Sequence, residues 1–179
     1  MNTGYIKVSY VIMDKFNMQF RENLVSEMKK TFGKDQRRIN HALSVLKYAE
    51  EILEGEKADR LTVTAAAILH DIGIQEAERK HNSSAPRFQE LEGPPIAREI
   101  LQRLGFDEKL VEHVCRIVGS HHSAKDIDDP EFRIVWDADL LVNVPDEHAN
   151  LKGDEMKSFI SKVFRTDSGR RIANEAFLE

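Results

Sequence analysis

Apolar residues in this chain recur at helical spacing in one segment after another and almost nowhere alternate as a strand requires. Phe16, Phe20, Leu24, Met28 and Phe32 each lie four residues apart, a stripe that closes at Gly33. Asp35 is placed to cap the next helix, whose apolar positions include Ile39, Leu43, Leu46, Ala49, Ile52 and Leu53 before Gly55. Thr62 or Thr64 opens a short buried helix that ends at Leu69-His70-Asp71, near Gly73. Residues 75–91 read as a helix remnant plus a loop, after which Gly93-Pro94-Pro95 starts a helix with Ile96, Ile100 and Leu104 on one face. Asp107 caps a helix carrying Val111, Val114, Val118, His121 and His122. Asp129-Pro130 begins another, through Phe132, Val135, Trp136, Asp139 and Val142 to Pro145. Asp154 opens the last long helix, with a closing segment over Ile172, Ala173, Ala176 and Phe177. Residues 5–12 read as either extended or frayed. The expected fold is all-α, a bundle of about seven helices.

With 179 residues the chain is expected to form a single domain, 1–179, with bulk for a proper core. The longest apolar run, residues 65–69, is far too short to cross a bilayer, and no signal peptide is legible, so a cytoplasmic location without membrane partners is expected. A net charge of −5 argues against non-specific nucleic-acid binding through a basic surface. The lone Cys115 has no intramolecular disulfide partner, and its apolar stripe makes it a buried thiol.

His70-Asp71 puts an imidazole and a carboxylate together where a buried helix meets a turn, a costly place for polar groups unless something binds them. Adjacent helical residues point about 100° apart, so both reach one ion only near a helix end, and Gly73 supplies that end. The competing reading is that one of them merely caps the turn. His41 lies within an apolar-striped helix and is either a ligand or an ordinary satisfied histidine. Asp139 falls on the buried side of its helix, where a carboxylate needs a partner or a metal. Asp137, two residues away, points elsewhere, as a supporting group or a solvated one. His121 and His122 follow Val114 and Val118, so at least one faces the same interior.

The order of these residues resembles the HD-domain superfamily of metal-dependent phosphohydrolases. The likeness rests on His41, Leu69-His70-Asp71-Ile72-Gly73, Gly119-Ser120-His121-His122 and Asp137-Ala138-Asp139-Leu140, and covers about residues 35–145. Helices over residues 16–32 and 154–178 would pack around that core. The resemblance implies a metal held by His41, His70, Asp71 and Asp139, and hydrolysis of phosphoester bonds, often in nucleotides. It does not extend to the named branches. Ile74 stands where many two-metal members have lysine, and Gln89-Glu90-Leu91-Glu92 precede Gly93 where they have a histidine. The signalling motif of the HD-GYP branch and the acidic pair of the alarmone hydrolases are missing.

A mixed imidazole and carboxylate set suits Mn²⁺, Fe²⁺, Co²⁺, Ni²⁺ or Zn²⁺ and suits Mg²⁺ less, with one or two ions expected. The expected function is a metal-dependent phosphohydrolase that cleaves a nucleotide or other small phosphorylated metabolite through a metal-activated water. Catalytic candidates are Asp71, Glu76 to orient the water, and His121 or His122 to protonate the leaving oxygen or complete a second ion site. Phosphate-binding candidates are Arg37, one turn before His41, and Lys80. The alternatives are a non-catalytic regulatory HD domain that binds metal or nucleotide, and a di-iron HD-type oxygenase. Homo-oligomer formation is left open.

Overall fold

Four aspartates set the starts of the helices that build the core. The carboxylates of Asp35, Asp59, Asp107 and Asp129 accept the backbone N–H groups of Arg38, Thr62, Leu110 and Phe132, three residues on in each case. The computed structural model describes residues 3–178, with side chains from residue 17 onward. Among these residues there are nine α-helices and no strand, so the fold is all-α. They are α1 (Thr3–Phe32), α2 (Gln36–Leu53), α3 (Arg60–Leu69), α4 (Ile74–His81), α5 (Pro86–Arg103), α6 (Glu108–Val118), α7 (Pro130–Glu147), α8 (Gly153–Val163) and α9 (Asp167–Leu178).

α3 is the central element. Every residue from Thr62 to Leu69 is buried, because α1, α2, α6 and α7 all pack on it. A helix apolar on all sides has no face to offer water and takes the middle of the domain. α2 lies along α7, α5 bridges α4 and α6, and α8 and α9 close the end beside α7. Phe20, Leu24, Met28 and Phe32 of α1 are buried as their spacing requires, whereas the side chain of Phe16 lies outside the described residues.

Several boundaries differ from the sequence expectation. Residues 5–12 belong to α1. α3 is opened by Asp59, not Thr62 or Thr64, and the Thr62 N–H and hydroxyl both donate to Asp59 Oδ2, at 2.8 and 2.7 Å. The helix remnant plus loop expected over residues 75–91 is α4, a four-residue link over 82–85 and the first turns of α5, and Pro94-Pro95 sit inside α5. Each proline costs that helix one backbone hydrogen bond but does not end it. α7 likewise runs two residues beyond Pro145, and α8 begins at Gly153 without a side-chain cap. α4 and α9, expected as a helix remnant and a closing segment, raise the count from about seven to nine.

Asp137 is neither solvated nor part of the ligand cluster. It is fully buried and ties α7 to the junction of α8 and α9. Its Oδ1 accepts the Arg165 N–H at 2.8 Å, and its Oδ2 accepts the Thr166 N–H and hydroxyl, both at 2.7 Å. Thr166 Oγ1 in turn accepts the Gly169 N–H at 2.9 Å in the first turn of α9. Burial pushes the Asp137 carboxyl up, and the hydrogen bonds from Arg165 and Thr166 pull against it. Asp137→Ala leaves these donors without their acceptor in a dry place and is expected to destabilise the fold by about 3 kcal/mol in urea denaturation. A loss below about 1 kcal/mol would mean that water replaces the carboxylate there.

Candidate metal centre

Two helix ends and two helix faces meet at one point. His70 is the C-cap of α3, and its Nδ1 lies 2.8 Å from the Ala67 carbonyl oxygen. His121 follows the end of α6 and repeats the arrangement, with Nδ1 2.7 Å from the Val118 oxygen. A helix's last carbonyls lack intrahelical partners, so each accepts an N–H from the imidazole three residues on. Each carbonyl thereby holds a proton on Nδ1, and Nε2 is aimed inward, where a metal ion would take the place of any second proton.

His41, on α2, brings its Nε2 to 3.2 Å from His70 Nε2. Asp139, on α7, places Oδ1 3.1 Å from His41 Nε2 and 3.6 Å from His70 Nε2. Asp71 Oδ2 lies 3.5 Å from both imidazole nitrogens. Its other oxygen faces His121 Nε2 at 3.4 Å. Asp71 therefore looks toward both groups, one made with His41 and His70, the other with His121 and His122. His121 Nε2 is buried and has no hydrogen-bond partner, an expensive state for a polar atom that a cation would relieve. Nitrogen and carboxylate donors converging this closely fit a divalent transition metal, and no rearrangement of the fold is needed to gather them.

Electrostatics point the same way. Burial opposes a charged His70, but Asp71 and Asp139 outweigh it and lift His70 to about 9. Asp71 is held well below its ordinary value: burial works against this, and His70 and His121 overcome it. In metal-free protein the stability from His70 is complete below its ordinary 6.5 and is lost as pH rises through about 9. The thermal midpoint of chelator-treated protein is expected to fall across that window, and added Zn²⁺, which takes the proton's place, to flatten the fall. A midpoint indifferent to pH in both states would refute this charge pattern. Burial and the neighbouring His121 push His122 down to about 4, so it is neutral at pH 7.

Three residues without motif signals complete the site. Asn143, one turn beyond Asp139, donates to its Oδ1 at 2.9 Å and fixes the carboxylate. Glu90 Oε1 accepts the backbone N–H groups of His122 and Ser123, at 3.0 and 2.7 Å, and shapes the turn that presents both histidines. Gln89 is buried, donates to the Ser84 oxygen at 2.6 Å, and sets its Oε1 3.4 Å from His122 Nε2. The only sequence hint was helical spacing, four residues in the case of Asn143.

The centre opens on a cavity of about 480 Å³ whose walls include Arg37, Arg38, Ile74, Ser84, Gln89 and Asn143. Arg37 is exposed and makes no ion pair among the described residues, while Arg38 is engaged by Asp35 and Glu78. Glu76 and Lys80 are not in this lining. Glu76 is pulled down to about 2 by hydrogen bonds from Arg79 and Lys80, and Lys80 also binds Glu92 Oε2 at 2.6 Å. Glu76 pairs with Arg79 and Lys80 on α4, and Lys80 reaches across to the buried Glu92 of α5, so their charges are taken up by these neighbours. Arg170 and Arg171 are bound within the α8–α9 region, to Asp167 and Glu175.

The HD-domain family model matches residues 38–144, a stretch that contains His41, His70-Asp71, His121-His122 and Asp139. The solved structure of a predicted HD superfamily hydrolase from an uncultured Thermotogales bacterium is similar in fold. Its TM-score is 0.65 over 86% of this chain and 83% of that one, at 24% sequence identity. No curated protein matches the chain in sequence. No helix among the described residues is long and apolar enough to cross a membrane.

Proposed function

Since this chain belongs to the HD-domain superfamily, we propose that it is a metal-dependent phosphohydrolase acting on a nucleotide or another small phosphorylated metabolite. The observation that carries the reading is the meeting of His41 Nε2, His70 Nε2, Asp71 Oδ2 and Asp139 Oδ1, none more than 3.5 Å from the nearest imidazole nitrogen, at the wall of an open polar cavity. These four residues would hold one divalent ion. Asp71 Oδ1, His121 and His122 offer ligands for a second. A bound ion of this kind supplies Lewis acidity, polarising a phosphoryl oxygen and acidifying the attacking water.

The chain's own groups do the rest. The cavity lining sets Asp35, Asp71, Glu78, Asp139 and Glu147 against only Arg37 and Arg38. That lining repels a phosphate dianion until cations offset it, which makes binding itself metal-dependent. Arg37 is the guanidinium available to a phosphate oxygen, and Arg38 is anchored beside it. His122 serves as a neutral ligand or hydrogen-bonding group instead of the leaving-group acid, because burial holds it uncharged. Ser84, Gln89 and Asn143 offer hydroxyl and amide groups to the remainder of the substrate.

The test is phosphate release from a panel of nucleotides and phosphorylated metabolites with Mn²⁺, Co²⁺, Ni²⁺, Zn²⁺ or Mg²⁺. Turnover that requires the ion supports the reading. Silence across the panel from protein shown to hold metal would shift it to a regulatory, metal-binding HD domain. Within an active pair, Arg37→Ala is expected to raise KM about tenfold and leave kcat within about threefold, the pattern of a group that binds substrate and transition state alike.

A further inference from the structure

Away from the cavity, a second cluster joins α6 to the start of α7. We propose that His113, Asp129 and Glu131 form an independent binding site for a borderline divalent cation, with Zn²⁺ as the type case, that clamps these two helices together. His113 Nε2 lies 3.1 Å from Asp129 Oδ2 and 3.9 Å from Glu131 Oε2. The three residues present ligand atoms that all lie within 4.8 Å of one another. None of them lines the central cavity.

Each carboxylate is already anchored by a hydrogen bond to one oxygen, and the other oxygen accepts none among the described residues. Asp129 Oδ1 accepts the Phe132 N–H at 3.1 Å as the cap of α7. Glu131 Oε1 accepts the Asp59 N–H at 2.7 Å, from the segment that leads into α3. Oδ2 and Oε2 are thus held toward His113 by bonds to backbone, not by one another. His113 Nε2 is buried at the atom and makes no hydrogen bond, although Oδ2 is near enough for one. A buried imidazole nitrogen, close to two oxygens but bonded to neither, is the geometry a cation between them would satisfy.

One imidazole nitrogen and two carboxylate oxygens form a three-ligand set, a donor mix that suits Zn²⁺, Co²⁺ or Ni²⁺. Arg116, largely exposed, reaches within 3.9 Å of Asp129 Oδ2 and is the competing cation. Its long side chain swings to solvent at little cost. Because Glu131 also holds the segment entering α3, a bound ion ties α6, α7 and that segment into one unit. This would act on stability rather than on turnover.

The full chain, stripped of metal, is dialysed against micromolar free Zn²⁺ and its bound zinc counted by mass spectrometry. His113→Ala and Glu131→Gln are run beside it. The glutamine keeps an oxygen for the Asp59 N–H and loses only the anionic ligand, so the test survives if the alanine variant folds poorly. Each variant is expected to hold one Zn²⁺ fewer than wild type, while phosphate release stays unchanged. Asp71→Ala, which removes a ligand of the central cluster, is expected to retain the zinc of this outer site. Equal zinc in wild type and Glu131→Gln, or a difference that appears only at millimolar Zn²⁺, would overturn the proposal.

Discussion

Asp71→Ala is expected to cut metal-dependent phosphate release by at least about a hundredfold while the protein stays folded. Loss of a single preorganised group that stabilises transition-state charge costs roughly 3–4 kcal/mol of barrier. On the proposed function Asp71 does more than one such job, since Oδ2 faces His41 and His70 at 3.5 Å and Oδ1 faces His121 at 3.4 Å. Its removal opens both ligand groups at once. It also takes away the carboxylate that does most to keep His70 charged, so imidazoles are left near one another with only Asp139 between two of them. Metal affinity and turnover should therefore fall together. Asp71→Asn keeps the shape, and with it the fold by circular dichroism, yet is expected to lose activity almost as fully because the amide carries no charge. A well-folded Asp71→Asn enzyme retaining a third or more of wild-type turnover would exclude this centre as the catalytic one.

Gly73→Ala is expected to destabilise the fold by about 3 kcal/mol, at the upper end of the cost of overpacking. Gly73 has an ordinary right-handed conformation, φ −81° and ψ −11°, so alanine meets no local strain. The obstacle is tertiary. A Cβ there would sit 2.4 Å from Gly93 N and 2.7 Å from both Gln89 O and Gly93 Cα. These are backbone atoms of α5, which cannot rotate away. Gly93 is pressed in turn against Val118, since its own Cβ would lie 2.7 Å from Val118 Cγ1. Pushing α5 outward would also displace Gln89 and Glu90, which shape the His121-His122 turn. Activity should then fall beyond what lost stability explains. Gly33→Ala is the control: its φ of +59° is strained for alanine, but nothing lies within 4 Å. Its cost should be about 1–2 kcal/mol, with activity intact. Urea denaturation compares the two, and equal costs would show that the contact between α5 and the His-Asp turn is loose.

Periodicity made the helical class readable because each helix must bury one stripe, and a stripe is a local pattern. Phe20, Leu24, Met28 and Phe32 show it on α1, and residues 65–69 mark α3 as central by being apolar throughout. His41, His70, Asp71 and Asp139 were identifiable as ligand candidates because polar groups of metal-binding type recur there among residues bound for the core. Glu76 and Lys80 misled for the opposite reason. Proximity in sequence to His70-Asp71 suggests a role, yet neither lines the cavity, and both pair with neighbours on α4 and α5 instead. Residues 75–91 read as a helix remnant plus a loop, because polarity and prolines resemble a breaker when the helix packing beside them is unknown, yet most of the stretch is helical.

The sequence by itself determined the all-α class, the caps at Asp35 and Asp107, the helix start at Asp129-Pro130, and the residue types available to bind a metal, since all of these depend on local spacing. Only the tertiary structure decided which of those residues meet. It brought His41 to His70 across 29 positions, turned Asp71 toward both histidine groups, buried Asp137 under the α8–α9 junction, and set Gly73 against Gly93. Those outcomes follow from how helices pack around α3, a global fit of shapes that no local stretch of chain encodes.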